Sequence, residues 1–425
     1  MSKIIEHFKT LAKIPHCSQD ADALQLYLNN FATDHGYTVQ IDDAGNILAS
    51  KGPSKICLQS HYDMVCMGRA PQIETEERDG WLHAVDASLG ADNGIGIAMM
   101  MVLMERGVEA EFLFTADEEI GLIGANALNF ELQSSRMLNL DSEDEAEVYI
   151  GCAGGADIIG EIFDEQIPGH GTCYEVAVRG LPGGHSGVDI DKNIPSAITL
   201  LSEYLHEEGV EQLSTIIAGE RRNAIPSNAV AIVRSDTPLT GRGEVTVRRL
   251  AEFPDVYRES QAILDYLHRF KQGVRSMNTQ LGIPQTSLNL AMVNDAYTPR
   301  GLTIEISARA MSMEDLEMVI AETAAEMDMS GFKVRVDDKY PAWKPEENAF
   351  TRDVAAAMEA EFGSAKTMAI HAGLECGVLS QKYPQVQFAS IGPTIRYPHS
   401  TRECVDLASV ERTFRVVERL VIGDS

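Results

Sequence analysis

The stretch "CLQSHYDMVC" (57–66) begins as a short apolar strand and ends on His61 and Asp63, with one residue between them. A short apolar run of this kind is typical of a strand that is buried in a parallel sheet. In such sheets, ligands collect at the carboxyl ends of the strands. An imidazole and a carboxylate at this position therefore predict a functional site at one edge of an α/β sheet.

Two other predicted strands of the first half of the chain also end in acids. The strand "AEFLFTA" is followed by the acidic run 117–119, and the strand "RMLNL" is followed by Asp141. In "GADNGIG", Asp92 precedes a helix that is apolar on almost all sides. Carboxylates that are gathered at one edge repel each other, and one or two divalent cations are the simplest compensation. Within the acidic run, Asp117 is interpreted as a turn residue.

The residue types predict which metal ions would bind. Imidazole together with carboxylates suits zinc, and it also accepts manganese or cobalt. A site for two ions needs a bridging carboxylate and at least two further ligands for each ion. Four of the ligands follow a strand or precede the helix: His61, Asp92, Glu119 and Asp141. The segment "YPHSTRE" offers His399 as the fifth, and of the neighbours Glu118 and Glu119 one can bind metal while the other acts as a base. Each residue alone is more often a turn residue or a helix cap, so the joint pattern carries the prediction.

Composition bounds the class of protein and its partners. A chain of 425 residues is long enough for two domains. The net charge of −29 argues against nucleic acid and anionic membranes as partners, because their phosphates would be repelled. No apolar run reaches the ~18 residues that a membrane span needs. The segment 1–14 is predicted to be an amphipathic helix rather than a signal peptide.

The seven cysteines are scattered and include no C-x-x-C pair. This usage is typical of reduced thiols, and we expect a cytoplasmic protein. Four cysteines fall near the predicted site and are interpreted as small buried side chains rather than nucleophiles: Cys57, Cys66, Cys152 and Cys376.

The domain organisation is predicted from the order of strands and helices along the chain and from the polarity pattern of the strands. Strands that alternate with helices in the first part predict an α/β layer with a mixed, largely parallel sheet. From "TCYEVAVRG" onward the strands alternate between apolar and polar residues, which is typical of an antiparallel sheet, and after "KYPAWKP" the α/β texture returns. We therefore predict a catalytic α/β domain of residues 1–173 and 342–425, flanked by helices and interrupted by an inserted α+β domain of residues 174–341.

Several common catalytic motifs do not occur in the chain. Its glycine-rich segments do not match G-x-G-x-x-G between a strand and a helix, and no Walker lysine follows a glycine loop. There is no H-E-x-x-H and no G-x-S-x-G, since "GGHSG" misplaces the serine. These observations argue against a nucleotide enzyme, a zincin and a serine hydrolase.

Eight motifs together resemble one family. In order they are "SHYDMV", "LGADNGIGIA", "TADEEIG", "LNLDSEDE", "GGHSG", "RNAIP", "HAGLECG" and "GPTIRYPHS". The set is similar to the co-catalytic zinc exopeptidases that include aminoacyl-histidine dipeptidases (peptidase D), carnosinases and acetylornithine deacetylases, and the last three motifs most resemble the peptidase D branch. The resemblance covers nearly the whole chain. It implies a catalytic α/β domain with an inserted lid domain that also mediates a homodimer.

The resemblance implies a role for each residue of the metal site. His61 and Asp141 are expected to bind one ion, Glu119 and His399 the other, and Asp92 to bridge them.

The resemblance also implies catalytic roles for further residues. Asp63 matches the acid that steers a metal-bound imidazole, and Glu118 matches the general base. The peptide bond between Asp92 and Asn93 matches a bond that is cis in the family. His185 in "GGHSG" matches a histidine that polarises the scissile carbonyl, in many family dimers from the neighbouring subunit, and its action in cis or in trans stays open.

The resemblance also implies residues that bind substrate. Asn223 in "RNAIP" and Arg309 in "EISARAM" match positions that hold the substrate carboxylate, for which the guanidinium fork of arginine is well suited. His371 and Glu375 lie on the glycine-rich "HAGLECG" segment. Glu375 either receives a free α-amine or belongs to a tight turn without a role in binding.

These expectations describe a cytoplasmic di-metal hydrolase that cleaves the amide bond of short peptides, with dipeptides, Xaa-His or broader, as the expected substrates. A deacylase of N-acyl amino acids would use the same site and differ only at the amine end of the pocket. A non-catalytic metal-binding protein is the third alternative, and the intact Glu118 argues against it.

Overall fold

The described residues of this computed structural model are 2–163, 165–251, 254–295 and 301–423. Their helices are α1 (Lys3–Leu11), α2 (Asp22–Asp34), α3 (Ala91–Glu105), α4 (Ile123–Ala127), α5 (Ala197–Glu207), α6 (Ser260–Arg269), α7 (Met313–Met329), α8 (Ala349–Phe362), α9 (Glu375–Lys382) and α10 (Leu407–Ile422). Their strands are β1 (Thr38–Ile41), β2 (Ile47–Ser50), β3 (Ile56–His61), β4 (Thr75–Arg78), β5 (Trp81–Ala84), β6 (Glu111–Thr115), β7 (Arg136–Asn139), β8 (Glu147–Cys152), β9 (Gly154–Phe163), β10 (Gln166–Ile167), β11 (Thr172–Val178), β12 (Gly184–His185), β13 (Gln212–Ala218), β14 (Ala224–Ile225), β15 (Ala229–Ser235), β16 (Val245–Arg249), β17 (Val256–Tyr257), β18 (Gly273–Asn278), β19 (Ile283–Asn294), β20 (Gly301–Ala310), β21 (Lys333–Tyr340), β22 (Lys366–Ile370), β23 (Gln387–Ser390), β24 (Ile395–Arg396) and β25 (Cys404–Asp406). Among these helices, none is long and apolar enough to cross a membrane.

The chain divides into two compact units. The first, called the α/β domain below, comprises Met1–Cys152, Trp343–Ala369 and Leu374–Ser425. The second, called the inserted domain, comprises Ala153–Ala342 and Ile370–Gly373. The predicted first boundary falls after residue 173, whereas the inserted domain begins at Ala153, because β9 pairs with β20 and β21 of that domain.

The α/β domain contains an eight-stranded sheet in the order β1-β2-β6-β3-β7-β23-β8-β22. Its four central strands, β6, β3, β7 and β23, run parallel to one another. β1 pairs with β2 in an antiparallel hairpin, and β8 is antiparallel to β23. The predicted mixed sheet is confirmed, with the parallel strands at its centre.

Helix α3 lies in the core of the α/β domain because it has almost no polar face. The hydrophobic side chains from Ile95 to Met104 are at most 2% exposed. The apolar face of α1, which includes Phe8 and Leu11, packs in the same core. A helix that is surrounded by apolar neighbours has little freedom to shift. The start of α3, which carries Asp92, is therefore held in a fixed place.

The inserted domain is built on a nine-stranded sheet. Its order is β16-β11-β15-β13-β19-β20-β9-β21, and β18 pairs with β19. The pairings are antiparallel, as predicted, and α5, α6 and α7 pack with the sheet in a separate apolar core. Strand β18 was not predicted, because its residues "GVRSMN" show no regular alternation of apolar and polar side chains.

One pair of cysteines differs from the prediction that the thiols are reduced. Cys17 and Cys66 form a disulfide, with their Cα atoms 5.5 Å apart. Cys17 follows α1, and the N–H of its neighbour Ser18 donates to the carbonyl of Met64 at 3.2 Å, so that folding brings together cysteines 49 residues apart in the chain. A pair at this separation has no spacing signature. The other five cysteines are buried and form no disulfide, as expected for Cys57, Cys152 and Cys376.

Substitution Leu58→Ala tests the central strand β3. Leu58 is 0% exposed, and truncation of a fully buried leucine typically destabilises a protein by about 2–5 kcal/mol. Ile41→Ala in the same sheet is the control, because Ile41 is 44% exposed and surface substitutions usually change stability by less than about 0.5 kcal/mol. Urea unfolding followed by tryptophan fluorescence reports on the α/β domain, since Trp81 and Trp343 are the only tryptophans of the chain and both lie there. Equal destabilisation by the two substitutions would contradict the buried position of Leu58.

Candidate metal centre

Three adjacent strands of the α/β sheet bring their carboxyl ends to one edge. β3 runs parallel to β6 on one side, with His61 opposite Thr115, and parallel to β7 on the other side. The segments that follow these strands carry the predicted acids: Asp63, Glu118, Glu119 and Asp141. Because neighbouring parallel strands end at the same edge, residues far apart in the chain become neighbours.

Asp92 lies between two imidazoles at this edge. Its Oδ1 is 3.2 Å from His61 Nε2, and its Oδ2 is 3.0 Å from His399 Nε2. His61 Nε2 is also 3.3 Å from Asp141 Oδ1, and His399 Nε2 is 3.0 Å from Glu119 Oε1. The structure thus brings all five predicted ligands together in two groups that share Asp92. Within each group the ligand atoms lie within 4.8 Å of one another.

This donor set fits divalent cations. Glu119 Oε1 is buried and has no partner in hydrogen-bond geometry among the described residues, although it lies 3.0 Å from His399 Nε2. The side chains of Asp92 and Asp141 are only 12% and 7% exposed, so water screens their charges poorly. Imidazole nitrogens and carboxylate oxygens are ligands that zinc, manganese and cobalt accept. Three groups of side chains have ligand atoms close enough to hold an ion: His61 with Asp92 and Asp141, Asp92 with Glu119 and His399, and His61 with Glu118 and Glu119.

The crowding of charges shifts the pKa values of these groups when no cation is bound. Burial, reinforced by the carboxylates of Asp141 and Glu119, raises the pKa of Glu118 well above its usual range. Burial also raises the pKa of Asp141 to about 6. Burial lowers the pKa of His399, but its contacts with the carboxylates of Asp92 and Glu119 outweigh this effect and raise the pKa to about 11. Perturbed pKa values in a group of polar side chains are typical of functional sites.

Asp63 positions both the imidazole and the neighbouring acids. His61 Nδ1 lies 2.9 Å from the backbone carbonyl oxygen of Asp63 and 3.5 Å from its Oδ1. Since a carbonyl oxygen only accepts, Nδ1 carries a proton and Nε2 faces the acids as a potential ligand. The carboxylate of Asp63 accepts the N–H groups of Glu118 at 2.9 Å and Glu119 at 3.3 Å. Its Oδ2 also accepts the hydroxyl of Ser18 at 2.8 Å.

A row of buried polar side chains crosses the four central strands next to the ligands. Gln59 Nε2 donates to Thr115 Oγ1 at 3.0 Å, and Asn139 Nδ2 donates to Gln59 Oε1 at 2.6 Å. Ser390 Oγ donates to Asn139 Oδ1 at 2.5 Å. Gln59 Nε2 also donates to Oε2 of Glu375, which is 0% exposed. The predicted amine-binding residue Glu375 is thus anchored by one oxygen, while its Oε1 has no hydrogen-bond partner in the described part of the chain.

Three further side chains at the centre were missed by the sequence analysis. Asn93 Nδ2 donates to Asp141 Oδ1, and the peptide bond before Asn93 is cis, as expected from the resemblance. Burial and the charges of Asp92 and Asp141 raise the pKa of Glu143 to about 8. Glu403 accepts backbone N–H groups at the start of α3. The sequence feature that could have identified these residues is their position, because each lies within a few residues of a predicted metal ligand.

In the inserted domain, His185 lies on β12 opposite Ala224 of β14. Its Nδ1 accepts the N–H groups of Gly187 at 3.1 Å and Val188 at 3.2 Å. A neutral imidazole whose Nδ1 accepts carries its proton on Nε2. His185 can therefore donate through Nε2, which polarisation of a carbonyl requires. Asn223, which precedes Ala224, is exposed.

Arg309 is buried in the same domain, at 6% exposure. Its Nη1 donates to the Tyr340 hydroxyl at 2.7 Å and its Nη2 to Ser186 Oγ at 3.4 Å, whereas its Nε has no hydrogen-bond partner among the residues described. His371 Nε2 lies 2.7 Å from Ser287 Oγ. Burial and the charge of Arg309 lower the pKa of His371 to about 3, so that it is neutral. The guanidinium contacts uncharged side chains in these hydrogen bonds, an arrangement that suits an incoming carboxylate.

Comparisons with known proteins agree with the geometry. The sequence profile described as Peptidase family M20/M25/M40 matches residues 57–423. The cytosol non-specific dipeptidase of Escherichia coli (strain K12) is 30% identical over an alignment of 466 residues that covers 97% of this chain and 96% of that protein. The crystal structure of aminoacylhistidine dipeptidase from Vibrio alginolyticus has a TM-score of 0.81 and 28% identity, and the match covers 98% of this chain and 96% of that one. Human carnosine dipeptidase 1, at 12% identity and a TM-score of 0.57 over 99% of this chain and 96% of that one, shares the fold.

Proposed function

Since this chain belongs to peptidase family M20/M25/M40, we propose that it is a metal-dependent dipeptidase that hydrolyses the amide bond of short peptides. The observation that supports this most is the pair of ligand groups that share Asp92. Glu118 is outside both groups, although a third group joins it to His61 and Glu119 with ligand atoms within 4.8 Å of one another. One similar protein is described as a non-specific dipeptidase and another as an aminoacylhistidine dipeptidase. Both descriptions support dipeptides as substrates, and the second supports Xaa-His dipeptides among them.

The metal site would hold two divalent cations, zinc by preference, on the two groups of ligands. When bound, such cations polarise a carbonyl group and lower the pKa of water toward about 7. Glu118 accepts the proton of the attacking water and then returns it to the leaving amine. Asp63 holds the backbone of Glu118 in place for both transfers.

The inserted domain and the buried Glu375 would bind the substrate. His185 donates its Nε2–H to the scissile carbonyl oxygen, and Arg309 with Asn223 binds the substrate carboxylate. Glu375 uses Oε1 to receive the α-amine. We propose further that the protein is a homodimer through the inserted domain and works in the cytoplasm, a location that the description of the Escherichia coli relative supports.

An assay on a dipeptide and on its N-acetyl form, with added zinc, manganese or cobalt, tests the proposed reaction. A dipeptidase cleaves the free dipeptide and not the acetylated one, because the α-amine is part of what it recognises. Preferred cleavage of the N-acetyl form would identify a deacylase. Cleavage of neither compound would identify a non-catalytic binding protein. Chelation should abolish activity and added metal should restore it, so full activity of a metal-free preparation would contradict the metal site.

Substitution Glu118→Gln tests the proposed base. It keeps the size of the side chain but removes the proton acceptor, and a general acid–base group typically contributes about 10²–10⁴-fold to the rate. We expect a loss of turnover at or above this range with unchanged metal content, measured by steady-state kinetics and elemental analysis. Asp117→Asn makes the same chemical change at the adjacent position and should keep near-normal turnover. Loss of metal from Glu118→Gln would mean that Glu118 is a ligand.

Mixing two inactive variants tests whether His185 acts in trans. His185→Ala should lower mainly turnover, because its hydrogen bond strengthens as charge develops on the oxygen. If His185 acts across a dimer, a mixed dimer of His185→Ala and Glu118→Gln contains one site with both groups intact, and activity returns on subunit exchange. If it acts within its own chain, each site keeps one defect. Absence of recovery in a demonstrated mixed dimer would refute the arrangement in trans.

A further inference from the structure

The carboxylate of Glu403 accepts hydrogen bonds from four consecutive backbone N–H groups at the start of α3. Its Oε2 accepts from Leu89 at 2.8 Å and from Gly90 at 3.1 Å. Its Oε1 accepts from Ala91 at 2.8 Å and from Asp92 at 3.3 Å. The side chain of Glu403 is only 3% exposed, so these bonds replace the water that a buried carboxylate has lost.

The segment that supplies Glu403 also supplies a predicted ligand. Glu403 stands four residues after His399 in "YPHSTRE", and its own N–H donates to the carbonyl of Ser400 at 3.1 Å. His399 Nε2 in turn lies 3.0 Å from Asp92 Oδ2. One short segment therefore contacts Asp92 twice, at its side chain through His399 and at its backbone through Glu403.

We propose that Glu403 is a positioning residue of the metal centre, which fixes the backbone of residues 89–92 and thereby aims both oxygens of Asp92 at the two ion positions. This rests on the proposed function for the presence of two ions. Ligand distances in metal sites vary by only about 0.2 Å, so a small shift of the Asp92 backbone takes one oxygen out of reach. Groups that orient a metal ligand typically contribute about 10–100-fold to metal affinity.

The chain offers a matched control for a purely structural role. Glu111 is 1% exposed and, like Glu403, its carboxylate accepts backbone N–H groups, from Gln133 at 3.0 Å and from Ser134 at 2.9 Å. It begins β6, whereas Glu118 and Glu119 follow the last residue of that strand. Glu111 therefore anchors backbone in the same domain without touching the ligands.

The experiment compares metal binding by Glu403→Gln and Glu111→Gln. Each substitution keeps the side-chain size but replaces one accepting oxygen with a donating NH₂ group, so that backbone N–H groups lose their acceptor. Titration of the metal-free proteins with Co²⁺ is followed by calorimetry and by the visible absorption of bound cobalt. We expect Glu403→Gln to bind about 10–100-fold more weakly, and Glu111→Gln to stay within about twofold of the unsubstituted protein. Thermal unfolding with EDTA present checks that both variants are folded.

Unchanged cobalt affinity and absorption in folded Glu403→Gln overturns the proposal, and so does an equal loss of affinity in Glu111→Gln. If Glu403→Gln does not fold, Glu403→Asp is titrated instead, since it keeps the charge and shortens the reach by one methylene group. Weaker binding by this variant supports the proposal, and unchanged binding overturns it. Because the measurement is metal binding and not hydrolysis, the proposal can hold in a protein that cleaves no dipeptide, and it can fail in an active dipeptidase.

Discussion

Repulsion among carboxylates at one edge of the α/β sheet is the constraint on which the rest of the structure depends. Two like charges about 4 Å apart repel by roughly 4 kcal/mol at the effective dielectric constant of a protein surface. The pKa of Glu118 is raised mainly by burial, and the neighbouring carboxylates of Asp141 and Glu119 raise it further. The fold gives some of the acids their own donors, since Asp63 accepts from the backbone of the acidic pair and Glu403 accepts from the start of α3. Asp92, Glu119 and Asp141 remain as the acids that two cations can neutralise.

The buried polar row explains how a sheet with an apolar core supports such an edge. Thr115, Gln59, Asn139 and Ser390 come from four parallel strands, and all of them are fully buried. A buried polar group that lacks a partner destabilises the fold, whereas a connected network of satisfied groups favours one arrangement over others. The row therefore sets the relative positions of the strand ends from which the ligand segments begin.

The sequence was sufficient to predict which side chains lie together where the signal is contained in a short stretch of residues. Four of the five predicted ligands, all except His399, stand at the end of a buried strand or at the start of a buried helix, and parallel strands must end at the same edge. The contacts that were missed are not local. Glu403 binds the N–H of Leu89, 314 residues away, and a backbone N–H group leaves no trace in the residue types. The pairing of Cys17 with Cys66 has no spacing signature for the same reason.

The domain boundary was misplaced for a different physical cause. β9 reads "GGADIIGEIF", an apolar run that continues directly from β8 and resembles the strands of the α/β sheet. It is apolar because it lies inside the second sheet, between β20 and β21. The sequence shows that such a strand is buried, but it does not show in which of two sheets.

The position of β23 has a consequence for the order in which the protein can fold as it leaves the ribosome. β23 lies between β7 and β8 in the sheet, yet it is made more than 200 residues after both, because residues 153–342 intervene. The inserted domain is nearly complete in the nascent chain while the first sheet still lacks its central partner. His399 and Glu403 emerge later still. A product of translation that stops before His399 therefore lacks one of the five candidate ligands, and it would present the other acids as an incomplete set.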